Sequence, residues 1–77
     1  MIKKTLKDTL VFIAQFTKNN GYPPTLREIA DGFGITVGSV QDRIAILYRS
    51  NLVKFKPNKS RTLTIPKDVR TVFPDLP

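Results

Sequence analysis

Between residues 5 and 20, apolar side chains recur at Leu6, Leu10, Ile13 and Phe16, one stripe at helical spacing that Val11 and Phe12 widen. The width predicts a helix packed on two neighbours. Asn19-Asn20-Gly21 supplies its stop, because Asn and Gly tolerate the left-handed backbone. Tyr22-Pro23-Pro24 follows, and a residue before proline is pushed out of the helical region, so the next helix cannot merge with the first. Thr25-x-x-Glu28 matches a capping box, in which each side chain satisfies a backbone N–H at the other's position. Ile29, Ala30 and Phe33 form the buried edge of a second helix that Gly34 ends. About two turns long, it would not persist alone in water and must pack against others. Ile35-Thr36 makes a tight turn, with Thr36 able to cap a third helix from about Val37 to Ser50. Val37, Val40, Ile44 and Leu47 share one face of it, bordered by Tyr48; Gly38, Ser39, Asp42, Ala45, Ile46 and Arg49 project the other way. Asn51 is a left-handed terminator.

From Leu52 the period changes to two. Val53 and Phe55 lie on one side and Lys54 and Lys56 on the other, Pro57-Asn58-Lys59-Ser60 turns the chain, and Leu63 and Ile65 alternate again. This predicts a β-hairpin with a basic tip. The order helix, short helix, tight turn, helix, basic hairpin describes a winged helix-turn-helix. The expected fold class is therefore mainly α with a small β-hairpin: three helices plus a two-stranded basic wing, occupying residues 1–65. Residues 66–77 are proline-punctuated and read as a linker or C-terminal tail, with Val69, Val72 and Phe73 at helical spacing for a short docking turn.

Composition adds a partner class. The chain has 77 residues, one domain at most, and a net charge of +7 with a pI near 10.2. Such a balance favours a polyanion, most simply nucleic acid. The distribution matters more than the total: residues 53–65 carry Lys54, Lys56, Lys59 and Arg61 without one acid, whereas Glu28 and Asp31 make the middle slightly acidic. There is no cysteine to form a disulfide or thiolate–zinc site, no signal-peptide pattern, and no run approaching the ~18 apolar residues of a membrane span. A soluble, cytoplasmic protein without membrane association is expected.

The segments GYPPTLREIADGFGI, SVQDRIAILYRSNLVKF and SRTLTI carry a resemblance to the N-terminal DNA-binding domain of the LexA repressor family. It covers roughly residues 5–65, and GYPPT-x-REIA is its most specific part. The resemblance implies the winged fold, the third helix in the major groove of double-stranded DNA, and the wing on the phosphate backbone. It places base-reading positions near Ser39, Gln41 and Asp42, with Gly38 at the entry. The turn before the third helix is about one residue shorter than the family pattern, and the reading side chains differ, so no operator sequence transfers. The family's self-cleaving peptidase domain, which also supplies its dimer, is absent from these residues; an excised domain or a free-standing relative is expected, with a homodimer on an inverted-repeat site as one assembly.

For the chemistry of contact, Ser39, Gln41, Asp42 and Arg43 lie where base readers of this motif sit: Gln can pair with adenine and Asp can accept from the cytosine amino group. Asp42 is equally a routine partner of a helix dipole. Lys54, Lys56, Lys59, Ser60 and Arg61 on the wing are candidates for phosphate contact, Lys59 and Arg61 above all, although lysines also protect an exposed strand edge. Thr25 and Arg27 at the second helix, and Thr36 at the third, are further backbone candidates beside their capping roles. Ile46 reads as a thymine-methyl contact or a core residue, the latter preferred. Tyr22, Phe16 and Phe33 read as packing residues, since interleaved aromatics on a flat basic sheet are missing.

Catalysis has little material. There is no histidine or cysteine, and Asp8, Glu28, Asp31, Asp42, Asp68 and Asp75 are scattered, so no catalytic residue, metal site, cofactor or small-molecule ligand is expected. The competing reading is a winged-helix protein-interaction module, such as an accessory factor of a phage or mobile element, which should expose an apolar patch.

Overall fold

The structure is a computed structural model that describes residues 3–77; the first two residues of the expected 1–65 unit lie outside the described residues. Three main helices appear, α1 (Lys4–Asn20), α2 (Leu26–Phe33) and α3 (Val37–Arg49), followed by a single turn, α4 (Val69–Val72). Local chemistry ends each main helix. Gly21 at φ 79° closes α1 with its N–H on the Thr17 carbonyl at 2.8 Å. Gly34 at φ 66° closes α2, where the N–H groups of Gly34 and Ile35 reach the carbonyls of Asp31 and Ala30, a Schellman pair. The same pattern ends α3: Asn51 takes φ 61°, and the N–H groups of Asn51 and Leu52 bond the carbonyls of Tyr48 and Leu47.

The capping box of α2 is complete. The Thr25 hydroxyl accepts from Glu28 N–H at 3.1 Å, and the Glu28 carboxylate accepts from Thr25 N–H at 2.8 Å. Thr36 Oγ1 caps α3 by accepting from Ser39 N–H at 3.1 Å. The two helices pack chiefly on each other and both lie on α1. Leu10 and Ile13 of α1, Ile29 and Ala30 of α2, and Val40, Ile44 and Leu47 of α3 meet in the core. Pro24 is fully buried at the junction, so the diproline both breaks the helix and fills space. Ala14 joins the α1 stripe, while Phe16 is only half-buried. Val37 is exposed, and the buried face of α3 starts one turn later than its sequence stripe, at Val40. Ile46 is 42% exposed, which overturns its preferred place in the core: two residues beyond Ile44, it points about 200° away from it.

The two-stranded wing is not formed. Residues 53–65 make one antiparallel bridge, Lys54 to Thr64, with both backbone hydrogen bonds at 2.8 Å. The ladder fails on each side for a specific reason. Toward the tip, the next pair would be Lys56 with Thr62, but Lys56 N–H is taken by the Thr62 side-chain hydroxyl at 2.9 Å. Toward the base, the partner of Leu52 would be Pro66, which has no N–H, and Leu52 N–H already ends α3. Asn58 at φ 62° and Arg61 at φ 57° complete an irregular basic loop held down by the buried Val53 and Leu63.

Residues 66–77 fold back on the core. Val69 and Leu76 are buried, Lys7 Nζ pairs with Asp75 at 2.9 Å and lies over the Phe73 ring, and Arg70 donates to the carbonyls of Leu76 and Pro77. No helix among the described residues is long and apolar enough to cross a membrane.

Candidate nucleic-acid interface

The middle of α3 and the basic loop flank an open cleft of about 450 Å³, lined by Pro24, Gln41, Ala45, Phe55, Lys59 and Arg61 among others. Gly38, Ser39, Gln41 and Asp42 are all exposed, and no side-chain hydrogen bond occupies Gln41 or Asp42 among the described residues. Ser39 Oγ accepts from the Thr36 hydroxyl at 3.0 Å, so the helix start is internally ordered and its hydroxyl proton remains available. Gly38 presents open space, with Thr36 Oγ1 the nearest atom to a Cβ placed there, at 3.9 Å. A duplex edge can approach the backbone closely at this point.

Arg43 departs from this group. Its guanidinium turns back toward α1, donating to the Thr9 hydroxyl at 3.3 Å and lying 5.2 Å from the Phe33 ring centroid. Thr9 is the one buried polar residue among those described, and its own hydroxyl donates to the Thr5 carbonyl. Arg43 therefore satisfies a buried acceptor, and the candidate positions left exposed on this part of α3 are Gly38, Ser39, Gln41 and Asp42. The physical reason is position: Arg43 precedes the buried Ile44 and flanks the face that meets α1.

The loop cations divide as well. Lys54, Lys56 and Lys59 are exposed, as is Ser60, and none of the three lysines has a carboxylate partner among the described residues; the same holds for Arg27 on α2. Arg61 is different. Nη1 donates to Glu28 Oε1 at 3.0 Å and to the Pro23 carbonyl at 3.1 Å, Nη2 donates to Glu28 Oε2 at 3.3 Å, and the guanidinium lies 4.6 Å from the Tyr22 ring centroid. It is bound into the protein rather than free at the tip. The Glu28 carboxyl is held below its ordinary range, chiefly by the Thr25 backbone N–H; desolvation opposes this, and the Arg61 hydrogen bonds lower it further. Lys7 does the same for Asp75.

An aromatic row connects these parts. Phe33, Phe12, Phe16 and Tyr22 follow one another with centroid separations of 5.3, 6.1 and 6.0 Å, Arg43 on one end and Arg61 on the other. These rings pack, as their sequence context predicts, though Tyr22 stays 46% exposed. A feature absent from the sequence reading is the Tyr48–Phe55 pair, centroids 5.0 Å apart, both rings exposed beside Lys54. Its signal was the border position of Tyr48, but only folding brings Phe55 to it. No group of three or more potential metal-ligating residues occurs among the described residues.

Comparison with known proteins places this geometry. The model of the LexA DNA binding domain matches residues 3–62. The chain is 40% identical over 65 residues to the LexA repressor of Oleidesulfovibrio alaskensis, covering 84% of this chain and 31% of that protein. It is 35% identical over 68 residues to the LexA repressor of Thermotoga neapolitana, covering 88% and 34%. With the LexA repressor of Leptospira interrogans it shares 38% identity over 56 residues, covering 73% and 28%. The chain thus spans about a third of the length of the curated relatives it matches. With the capped helix pair, the open face of α3 and the four cations of the basic loop all inside the matched region, the chain belongs to the LexA DNA binding domain family.

Proposed function

We propose that this chain reads duplex DNA as the DNA-binding unit of a transcriptional repressor. The first half of α3 enters the major groove, where Gln41 and Asp42 meet base edges, Ser39 adds a hydroxyl and Gly38 admits close approach. Lys54, Lys56, Lys59 and Ser60 meet phosphates on one side, and Arg27 with the helix starts at Thr25 and Thr36 meets them on the other. The observation that carries the reading is the exposed Gln41 and Asp42 on α3, without side-chain hydrogen bonds, beside a loop whose three lysines have no acidic partner among the described residues. Two copies on an inverted repeat would supply the affinity that a single half-site lacks. A cytoplasmic, nucleoid-associated location accords with that role.

Selection from a random pool of duplexes at near-physiological salt tests it. Enrichment of one short motif, especially as an inverted repeat, is the expected result. Salt-sensitive binding without a motif would overturn the sequence-reading role of α3. The exposed Tyr48–Phe55 pair gives the protein-interaction reading one specific observation, and failure to bind any duplex at low salt would bring it forward.

A further inference from the structure

The basic loop is attached to the helix pair at one polar point that no regular strand pairing supplies. Its only backbone bridge among the described residues, Lys54 with Thr64, lies at the base, and beyond it the loop runs through two left-handed residues, Asn58 and Arg61. A non-glycine residue stays in that conformation when its surroundings hold it there. Arg61 has such surroundings: both carboxylate oxygens of Glu28, the Pro23 carbonyl and the face of Tyr22. Glu28 is itself fixed, since the same oxygen that meets Arg61 Nη1 accepts from Thr25 N–H at the start of α2. The side chains of the pair remain 41% and 34% exposed, and ion pairs at such sites add little to stability. What a planar two-pronged contact does supply is direction.

We propose that Arg61 and Glu28 form a latch that sets the basic loop at a fixed height beside α3, so that Arg61 is a positioning residue and Lys56 and Lys59 reach the DNA backbone only while the latch is closed. The inference rests on the duplex-binding reading above. The latch joins the loop to the capping box of α2, and α2 carries α3 through the Gly34 turn. One carboxylate therefore serves both the helix start and the loop position, and both partners of the DNA, base edges and phosphates, are referred to the same frame.

The consequence runs against simple electrostatics. Glu28→Gln raises the net charge by one, and by charge alone it strengthens binding to a polyanion. Gln at this position still serves a capping box, so α2 keeps its start. The latch instead predicts that Glu28→Gln weakens duplex binding several-fold. Arg61→Lys keeps the charge but not the two-pronged, ring-stacked contact, so it weakens binding to a similar extent; a phosphate ligand at residue 61 would tolerate Lys. Lys59→Gln in the native chain lowers the salt slope by about 0.9 for one lost phosphate contact, and in the Glu28→Gln background it changes the slope little.

The experiment measures duplex affinity across a salt series for the native chain, Glu28→Gln, Arg61→Lys, Lys59→Gln and the Glu28→Gln/Lys59→Gln pair, with circular dichroism confirming helix content. Trypsin cleavage of the Lys59–Ser60 bond in the free proteins reads the loop without DNA, and both latch variants are expected to cleave several-fold faster. Equal or tighter duplex binding by Glu28→Gln, or native binding by Arg61→Lys, overturns the latch while leaving the duplex-binding reading intact. A native chain that binds no duplex overturns that reading and the latch's role in it together. Should Glu28→Gln lose helix content, Arg61→Lys, which leaves the capping box whole, decides the matter alone.

Discussion

Arg43 in α3 and Arg61 in the basic loop are cations whose environments differ from those of the exposed lysines of that loop. Each guanidinium lies over an aromatic ring and donates to an oxygen of another element. Arg suits such sites because its planar fork is weakly hydrated and stacks, whereas Lys keeps its compact charge in water. Arg43→Ala should therefore act on the fold, lowering stability by about 1 kcal/mol through the lost stacking and the unpaired Thr9 acceptor, with base preference unchanged. Urea denaturation beside competition binding on two duplexes checks both halves; a changed base preference would return Arg43 to the reading surface. Thr25→Ala removes the cap of an eight-residue helix and should cost about 1 kcal/mol, read in the same denaturation series. Neither arginine could be assigned from sequence, since Thr9 lies 34 residues from Arg43 and Glu28 lies 33 from Arg61.

Among the elements, α2 depends most on its neighbours. A Cβ at Gly32 would stand 2.3 Å from a carbon of the Phe12 ring, and that ring is flanked by Phe16 and Phe33. In an isolated helix, Gly→Ala is favourable by about 1 kcal/mol. Here Gly32→Ala should lower the melting temperature instead, because the ring must leave its stack; a rise would mean that Phe12 moves at no cost. The tail is an element in the same sense. Leu76 is buried, so Leu76→Ala should destabilise by about 2 kcal/mol, measurable by thermal melting, which a loose terminus would not show. The basic loop shows the converse. Its alternating sequence is that of a hairpin, yet one threonine hydroxyl and one proline remove the hydrogen bonds that two strands need.

For the whole molecule, the two ion pairs among the described residues tie distant parts of the chain together, Lys7 to Asp75 and Glu28 to Arg61. Both carboxyls are held below their ordinary values, so each stabilises the folded state while ionised. That contribution is complete above the unfolded carboxylate range of about 4 and is lost as the pH falls through the lower folded values. The melting temperature should thus fall as the pH is lowered from about 5 to about 3, and Glu28→Gln with Asp75→Asn should flatten the profile. An unaltered profile in the double variant would show that other groups govern the acid limb.

The helices, their caps and their order were legible in the sequence because each is decided within a few residues: a capping box, a glycine stop, a proline that forbids continuation. The exposure of Gly38, Ser39, Gln41 and Asp42 was legible for the same reason, since an exposed face of α3 follows from its apolar stripe. The sequence could not determine which cations stay free for a phosphate and which are bound within the fold. That depends on partners more than thirty residues away. Nor could it determine that a two-residue period would yield a single bridge, because the competing acceptor for Lys56 N–H is a side chain across the loop. Spacing along the chain sets local hydrogen bonding; only the packed tertiary structure decides which polar groups meet, and so which charges remain to face a partner.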